Sequence, residues 1–328
     1  MQPLVSILTR IYNASNYIER CAQSLFAQTY ENIEFVFVND CTPDNSIEIL
    51  QKTLENFPQR KTQTKIINHK KNCGSSAAQN TSIENATGEY IYAVDSDDYL
   101  ENNAIELLVK EAMANDAEIT VSDLQEEYSN GKSVLLPYKV TENQEENRLN
   151  AVLSVNSPQF LCGKLFKRSL FENKNLQKPF EGMNYWEDRI LVTQLTFFAN
   201  KIAKVDKPLY HYVKYNSNAI TYVNKNRMHF ESAIYFWNFL EKFLQKHGFY
   251  EKFKDAIDFA KVKHKASMMI STDSTALRKE FAPVFYEEET KYYPKLRKGK
   301  RIITFLIRHK LFFCSQIYHK GVKFINKI

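Results

Sequence analysis

Short apolar runs alternate with helical patterns over the first 98 residues of this 328-residue chain. The runs that predict β-strands are Val5–Leu8, Ile33–Val38, Lys65–Ile67 and Tyr90–Val94, and a segment of helical spacing separates each from the next. Parallel strands are joined by crossover connections, so this order predicts an α/β fold with a mostly parallel sheet flanked by helices. Ligands bind at the carboxyl ends of such strands, and we expect the functional residues in the loops that follow them.

The rest of the chain is organised differently. Helices are predicted from Asn102 to Asn115 and from Glu187 to Ala199, and the polar stretch Glu126–Asn150 is expected to contain a mobile loop. From 227 to 290, aromatic and aliphatic residues recur at helical spacing, which is more typical of a helical core than of a binding surface. The predicted regions are 1–98 and 99–222, two halves of one α/β domain, then a helical C-terminal region, 223–290, and a tail, 291–328.

Glycine and cysteine usage excludes several classes of protein. The chain has eight glycines, and no two of them lie closer than Gly74 and Gly88. The dinucleotide-binding GxGxxG motif, the P-loop and the GxSxG nucleophile elbow each need glycines a few positions apart, so all three are excluded. The five cysteines are scattered and contain no CxxC, which indicates neither a disulfide framework nor a thiolate zinc site. A reducing compartment fits this pattern best.

The termini carry no predicted signal peptide or membrane span. No basic run followed by an apolar segment opens the chain, and no window of 18 residues is uninterruptedly apolar. We therefore expect a cytoplasmic protein. Its net charge of +6 is unevenly distributed, because eleven Lys or Arg and no acid lie from Lys291 to the end, against 33 basic and 38 acidic residues before it.

Three carboxylates follow the strand Tyr90–Val94, namely Asp95, Asp97 and Asp98. Like charges this close raise one another's pKa unless a cation lies between them. A divalent metal is the usual cation, and hard oxygen ligands suit Mg²⁺ or Mn²⁺ better than zinc. On spacing alone, a solvated turn that caps the next helix is the alternative. The position at the end of a buried strand favours a metal site.

Polar residues also follow the first two strands. Asp40 ends the second strand and is a candidate to accept a hydrogen bond from a nucleotide base, or to cap the next helix. Thr42 or Asp44 suits the capping role better. The segment from Thr9 to Asn13 follows the first strand, so three strand ends present polar side chains to one rim of the sheet.

Six segments, in their order and spacing, resemble those of the inverting glycosyltransferases of family 2, of the bacterial surface-polysaccharide type, which have the GT-A fold. The segments are Val5–Asn13, Ser24–Tyr30, Val38–Ser46, Asn72–Asn80, Gly88–Asp98 and Trp186–Asp188. They cover roughly residues 1 to 220. The resemblance implies that 1–98 is the half that binds the nucleotide-sugar and 99–222 the half that binds the acceptor.

The resemblance also implies individual roles. Asp40 would bond the nucleotide base, usually uracil, and Asp95 would lie near the ribose or the metal. Asp97 would ligate the Mn²⁺ or Mg²⁺ ion that bridges the diphosphate, and Asp188 would be the catalytic base. The chemistry agrees, because an attacking hydroxyl must lose its proton to a carboxylate and a metal stabilises the departing diphosphate. Direct displacement then inverts the anomeric centre.

Further residues come from the same resemblance. Those expected around the nucleotide are Thr9, Tyr12, Asn13, Asn72, Asn80 and Ser96. Those expected at the acceptor or over the diphosphate are Lys164, Trp186, Glu187 and His211. Two alternatives stay open from the residues alone: Lys164 as a solvated lysine on a strand, and His211 as a structural histidine.

Three positions depart from the family's common pattern. The family commonly has Pro where Arg10 stands, an acid where Asn39 stands and Arg where Gln79 stands. Asn39 is tolerable because the next residue, Asp40, keeps the position that contacts the base. Gln79 removes a positive charge expected near the carboxylates, and Arg10 or Lys164 is the candidate to replace that charge.

The predicted function is metal-dependent transfer of a hexosyl or N-acetylhexosaminyl group from a UDP-sugar to a hydroxyl of a glycan or lipid-linked acceptor, in cell-surface polysaccharide synthesis. A sugar nucleotidyltransferase is one alternative, but its glycine-rich phosphate loop is missing. An inert nucleotide-sugar-binding scaffold is another, although it would be expected to lose the carboxylates, and all of them are present.

The tail from Lys291 to Ile328 combines eleven basic residues with many aromatic and aliphatic ones. This pattern predicts an amphipathic helix that lies in a membrane interface and meets anionic lipid, which suits a peripheral protein at the inner face of the cell membrane. The alternative is a helix packed on the body with solvated lysines. Nucleic acid is not an expected partner, because no binding motif accompanies the charge.

Overall fold

The computed structural model describes residues 2–153, 159–180, 183, 185–216 and 226–325. These residues form two compact units, Met1–Asn218 and Ala219–Ile328. The first unit is a sheet flanked by helices, and the second is helical in its described part.

The first four strands form the parallel half of the sheet. In chain order the elements are β1 Val5–Ile11, α1 Ile18–Phe26, β2 Ile33–Asn39, α2 Ser46–Glu55, β3 Thr64–Asn68, α3 Ser75–Glu84 and β4 Tyr90–Ala93. The strands lie in the order β3-β2-β1-β4, and each pairs in parallel with its neighbour. The alternation that predicted a helix-flanked parallel sheet is confirmed here.

The other strands complete a mixed sheet of nine strands among the described residues. In chain order, the helices and strands that follow β4 are β5 Tyr99–Leu100, α4 Ala104–Asn115, β6 Ile119–Glu127, β7 Ser133–Leu136, α5 Gln144–Leu153, β8 Lys164–Lys167, α6 Glu187–Phe198 and β9 Ile202–Val213. Strand β8 pairs antiparallel with both β4 and β6, and β9 runs parallel to β6. The order therefore continues β4-β8-β6-β9-β5, with β7 on β6.

The polar stretch Glu126–Asn150, expected to contain a mobile loop, includes secondary-structure elements as well as loops. It holds the end of the β6–β7 hairpin and the first part of α5. Exposed and half-buried residues alternate along β7, as in a strand with one face toward solvent. The polar composition thus reflects an exposed strand and helix.

Apolar residues on both faces of β1 and β2 explain why these strands are continuous hydrophobic runs. One face, including Ile7 and Phe35, packs against α1, and the other, including Leu8 and Val36, packs against α3. Each fully buried side chain of this kind contributes roughly 1.5–3 kcal/mol relative to exposure. The strand ends that carry the polar loops are therefore held in place by a tightly packed sheet.

The second unit consists of helices, as predicted for 227–290. They are α7 Arg227–Lys246, α8 Tyr250–Ser271, α9 Thr275–Phe281, α10 Tyr286–Tyr292, α11 Lys298–Arg308 and α12 Phe312–Ile325. The aromatic residues at helical spacing in α7, such as Phe230 and Trp237, are buried. The tail forms two helices, and no helix among the described residues is both long enough and apolar enough to span a membrane.

Candidate active site

The loop after β4, here called the carboxylate loop, carries the three predicted carboxylates Asp95, Asp97 and Asp98. Each of the three has a different environment. Asp98 is fully buried, accepting a hydrogen bond from the Tyr210 hydroxyl at 2.6 Å and one from the Val213 N–H at 2.8 Å. Burial, followed by the charges of Asp97 and Asp95, raises the pKa of Asp98 well above its ordinary value. Asp98 therefore ties the carboxylate loop to β9.

Asp97 is only partly buried. Its Oδ2 accepts from Asn216 Nδ2 at 2.8 Å, and its carbonyl oxygen accepts from Arg20 Nη2 at 3.3 Å. Burial and the charge of Asp95 raise the pKa of Asp97, so its negative charge is unfavourable in this environment. Ser96, between the two acids, is also partly buried.

Arg10, near the end of β1, connects Asp95 to the start of α6. Its Nη2 donates to Asp95 Oδ1 at 2.8 Å, and its Nη1 donates to Ser75 Oγ at 2.8 Å and lies 3.7 Å from Glu187 Oε1. Burial alone would lower the pKa of Arg10, but the carboxylates of Asp95, Asp188 and Glu187 raise it above its ordinary value. Arg10 is therefore charged and lies between two acidic segments, the carboxylate loop and the start of α6 with Glu187 and Asp188.

Glu187 and Asp188 form the first residues of α6, as the resemblance to the family predicted for the catalytic segment. Asp188 Oδ1 accepts from Gln79 Nε2 at 2.5 Å, and Oδ2 accepts from the Leu161 N–H at 3.0 Å. Glu187 is buried and accepts from Ser75 Oγ at 2.7 Å. Burial and the neighbouring charge of Asp188 raise the pKa of Glu187 to about 7.

Trp186 directly precedes this pair and has φ of 70°, a left-handed conformation that is unfavourable for a bulky residue. The guanidinium of Arg189 lies over its ring, 4.2 Å from the ring centre. Strained backbone of this kind persists only where the surrounding structure holds it in place, and it is found most often at functional sites. The conformation fixes the direction in which α6 begins.

Asp40 lies at the end of β2 and is buried. Its Oδ1 accepts from His69 Nδ1 at 2.7 Å and from the Cys73 N–H at 2.8 Å, and its Oδ2 accepts from the Gly74 N–H at 2.8 Å. Asn72, in the same loop, is exposed, and its side chain also accepts from Gly74. Asp40 thus shapes the loop that leads into α3.

The other residues predicted around the nucleotide differ in exposure. Thr9 is buried in β1, whereas Tyr12 is exposed and Asn13 has φ of 52° with its N–H bonded to Thr42 Oγ1. Asn80 donates to the Pro179 carbonyl at 3.4 Å. The buried Thr9 Oγ1 and Asn80 Oδ1 have no hydrogen-bond partner among the described residues.

Lys164 is buried, so the alternative of a solvated lysine is wrong. Its Nζ donates to the Phe160 carbonyl at 2.6 Å, and burial lowers its pKa to about 8. It does not form an ion pair with the carboxylates of the loop among the described residues. Lys164 supports the segment from which Leu161 contacts Asp188.

His211 lies on β9 in a separate polar cluster. Its Nδ1 is 2.9 Å from Glu127, its Nε2 is 2.9 Å from Glu101, and its ring stacks on Tyr99 at 4.3 Å. Both ring nitrogens are engaged, which favours the structural alternative for this histidine.

Several residues of the site were not singled out from the sequence. His69 and Ser75 bond to Asp40 and Glu187, and Arg20 lies over the Tyr99 ring while contacting the carboxylate loop. Only the position of His69 directly after a strand was a usable signal. The roles of Arg20 and Ser75 depend on helix packing that one sequence does not specify.

Comparison with known proteins identifies the family. The model of Glycosyl transferase family 2 matches residues 6–173. EpsH of Bacillus subtilis (strain 168) is 30% identical over 278 residues, which cover 84% of this chain and 78% of EpsH.

Two solved structures share the fold. One is the crystal structure of S. aureus TarS 1–349 in complex with UDP-GlcNAc. The alignment covers 98% of this chain and 91% of the TarS chain, with a TM-score of 0.64 and 16% sequence identity. The other is the mannosyltransferase PcManGT from Pyrobaculum calidifontis in complex with GDP-Man and Mn²⁺. The alignment covers 100% of this chain and 89% of the PcManGT chain, with a TM-score of 0.52 and 16% sequence identity. The fold is thus that of known glycosyltransferases, and with the family match the chain belongs to glycosyltransferase family 2.

Proposed function

We propose that this glycosyltransferase transfers a sugar from a UDP-sugar to a hydroxyl of a glycan or lipid-linked acceptor, with inversion and with a divalent metal, in the synthesis of a cell-surface polysaccharide. The observation that carries the proposal is the contact between two acidic segments. Arg10 and Ser75 bring the start of α6, with Glu187 and Asp188, against Asp95 of the carboxylate loop. A donor held at that loop would have a carboxylate within reach of an attacking hydroxyl.

The chemistry of the carboxylate loop fits a divalent cation. Burial and mutual repulsion raise the pKa of Asp97 and Asp98, and a bound cation would relieve this penalty. Asp98 is committed to β9 and Asp95 to Arg10, so Asp97 is the best candidate to ligate Mn²⁺ or Mg²⁺ through hard oxygen atoms. When bound, the metal would stabilise the negative charge of the leaving diphosphate.

Asp40 supports uracil as the base. A carboxylate has about four acceptor positions, and here two donors occupy Oδ1 while one occupies Oδ2. The remaining position on Oδ2 suits the single N–H of a uracil edge. Guanine presents two neighbouring donors that pair best with two free oxygens. This argument favours UDP over GDP, in line with the UDP-GlcNAc bound by TarS.

Asp188 is the proposed general base. An acceptor hydroxyl must lose its proton as it attacks the anomeric carbon, and a positioned carboxylate contributes roughly 10²- to 10⁴-fold by taking it. The two N–H donors on Asp188 fix the orientation of the carboxylate before the acceptor arrives. Attack from the face opposite the leaving diphosphate inverts the configuration.

The test is release of UDP from a panel of UDP-sugars by the purified full chain, with Mn²⁺ or Mg²⁺, with chelator, and with GDP-sugars as the matched control. We expect slow hydrolysis without acceptor, loss of activity with chelator, and a higher melting temperature with UDP and metal, because a ligand that binds only the folded state stabilises it. Equal rates with chelator would contradict metal dependence, and a preference for GDP-sugars would contradict the role of Asp40.

We also propose that the tail attaches the protein to anionic lipid at the inner face of the membrane. Residues Ile303 and Ile307 of α11 are buried, so one face of this helix packs within its own unit. Other large apolar side chains of the tail are exposed: Ile302, Phe305, Leu311, Phe313 and Ile317. Exposed basic residues lie among them, including Lys298, Arg301 and Lys310.

The attachment of α12 sets which side of the helix faces outward. Gln316 bonds to Arg278 and Thr275, and its amide donates to the Asp273 carbonyl at 3.1 Å. Phe313 and Ile317, four residues apart and therefore neighbours on the helix, are 78% and 58% exposed. Apolar side chains flanked by lysines match a membrane interface, where each basic residue contributes about 1 kcal/mol near anionic lipid.

Sedimentation with vesicles of phosphatidylglycerol and phosphatidylcholine tests this attachment. We expect the full chain to pellet at low salt and to be released at high salt, because salt screens the attraction. A Phe313→Ser, Ile317→Ser double variant should stay in the supernatant. Met113→Ser is the matched control, because Met113 is 57% exposed on the other unit. Equal pelleting of the double variant, or no pelleting of the wild type, would contradict the proposal.

A further inference from the structure

Arg10 occupies an unusual position for a charged residue, near the end of the central strand β1 and largely enclosed. Its guanidinium contacts three segments: Asp95 in the carboxylate loop, Ser75 at the start of α3 and Glu187 at the start of α6. The bonds to Asp95 and Ser75 are both 2.8 Å long and use different nitrogens. One side chain thus connects parts of the site that lie far apart in the chain.

Helix α3 contacts the same start of α6 through two neighbouring side chains. Ser75 Oγ donates to Glu187 Oε1 at 2.7 Å, and Gln79 Nε2 donates to Asp188 Oδ1 at 2.5 Å. Ser75 and Gln79 are four residues apart and therefore lie one turn apart on one face of α3. Ser75 is at once a donor to Glu187 and an acceptor from Arg10, so the guanidinium and the start of α6 are joined through its hydroxyl.

The charges of the site are unbalanced without Arg10. Five carboxylates lie in the two acidic segments: Asp95, Asp97, Asp98, Glu187 and Asp188. Within the described ranges, Arg10 is the one basic side chain that forms ion pairs with any of them. Gln79 contacts Asp188 with a neutral amide, and its Oε1 is buried with no partner among the same residues.

We propose that Arg10 is a positioning residue for sugar transfer, which holds the start of α6 against the carboxylate loop and supplies the positive charge that the neutral Gln79 does not. The proposal rests on the proposed function, because it assigns Arg10 a part in the same site. Arginine suits this role since its planar fork of five donors serves two acceptors at once, whereas the ammonium group of lysine is a point charge.

The position of Gln79 offers a direct test of this role. An arginine at 79 would stand one turn from Ser75, next to Asp188, and would replace the unpartnered carbonyl oxygen with N–H donors. If the site needs one fixed cation between its acidic segments, Gln79→Arg should compensate for loss of Arg10. If Arg10 only stabilises the end of β1, a cation on α3 should not help.

The experiment compares wild type with Arg10→Ala, Arg10→Lys and the double variant Arg10→Ala, Gln79→Arg. Hydrogen exchange of the first hydrogen-bonded amides of α6, from Ile190 onward, and of the Leu161 N–H that donates to Asp188 measures positioning without any substrate. In Arg10→Ala we expect this exchange to be about tenfold faster or more, with the amides of β1 and β2 unchanged, as for a local opening. Arg10→Lys should remain fast, and the double variant should return close to the wild-type rate.

Steady-state kinetics of UDP release provides the second readout. Misplacement of the base should lower kcat by about 10- to 100-fold in Arg10→Ala, with a smaller change in KM for the donor, and the double variant should recover most of that loss. Wild-type exchange in Arg10→Ala, or a folded double variant that exchanges as fast as Arg10→Ala, would overturn the proposal. Failure of the proposed function would appear differently, as absence of UDP release from the wild type.

Discussion

Asp188→Asn separates the proposed catalytic base from the fold that surrounds it. In the structure, Asp188 receives one hydrogen bond from the Gln79 amide and one from the Leu161 N–H. An asparagine keeps an acceptor oxygen for Leu161 but turns an NH₂ group toward Gln79. Gln79 can meet this change by rotating its amide through half a turn, because its Oε1 has no partner among the described residues to lose.

The cost to stability is therefore small. A hydrogen bond to a charged group, worth about 1.5–3 kcal/mol, is replaced by a neutral one worth about 0.5–1.5 kcal/mol. The net loss is on the order of 1–2 kcal/mol, which lowers the melting temperature of a large domain by only several degrees. The cost to catalysis is larger, because a carboxamide cannot accept the hydroxyl proton. Loss of a general base lowers turnover by roughly 10²- to 10⁴-fold, or about 3–5 kcal/mol in the barrier.

The assay is initial-rate release of UDP from the best UDP-sugar, with UDP affinity measured by calorimetry and folding by thermal denaturation. Glu187→Gln is the matched control, since it neutralises the adjacent acid in the same turn of α6. We expect Asp188→Asn to lose at least 10²-fold in kcat with UDP affinity nearly intact, and Glu187→Gln to lose much less. The opposite ranking would move the base to Glu187, and wild-type turnover in both variants would refute base catalysis from α6.

Three further predictions concern the other acids of the site. Asp97→Ala should abolish the dependence of UDP binding on Mn²⁺, which calorimetry with and without the metal would show, and unchanged metal-dependent affinity would exclude Asp97 as a ligand. Asp40→Ala should weaken UDP binding by about 1.5–3 kcal/mol, the value of one charged hydrogen bond, while affinity for ribose phosphate changes little; equal losses for both would contradict base contact. Because burial raises the pKa of Glu187 to about 7, its contribution to stability is complete below its ordinary pKa of 4.5 and is lost as the pH rises through 7. The stability of Glu187→Gln relative to wild type should therefore be higher at pH 8 than at pH 5. Denaturant unfolding that shows the same difference between the two proteins at both pH values would be inconsistent with a raised pKa of Glu187.

The parallel half of the sheet was predictable because its signals are local. Each of β1 to β4 is a short apolar run, and α1 to α3 show helical spacing between them, so period and order determine the topology. The carboxylates were predictable for the same reason, since they directly follow a buried strand. The helical second unit was likewise apparent from its aromatic spacing.

The antiparallel half could not be predicted in the same way. Strand β8 has four residues, Lys164–Lys167, and fits between β4 and β6 through pairings across more than 40 residues of chain. Two of its residues are lysines, which suggest an exposed segment, yet Lys164 is buried with its ammonium group on backbone carbonyls. A single polar residue buried by long-range pairing gives no periodic signal.

The division of roles among the three acids after β4 follows from their surroundings rather than from their spacing. Asp98 is buried and bonded to β9, so it is a structural anchor for the loop. Asp95 is paired with Arg10, so its charge is already compensated. Asp97 is partly buried and forms no ion pair within the described residues, and its pKa is raised by burial and by Asp95. A cation that binds this loop would gain most by contacting Asp97, because Asp95 is already paired with Arg10 and the oxygens of Asp98 are buried and bonded to β9. The anchor and the ion pair thus leave Asp97 as the acid of the cluster that we propose as the metal ligand.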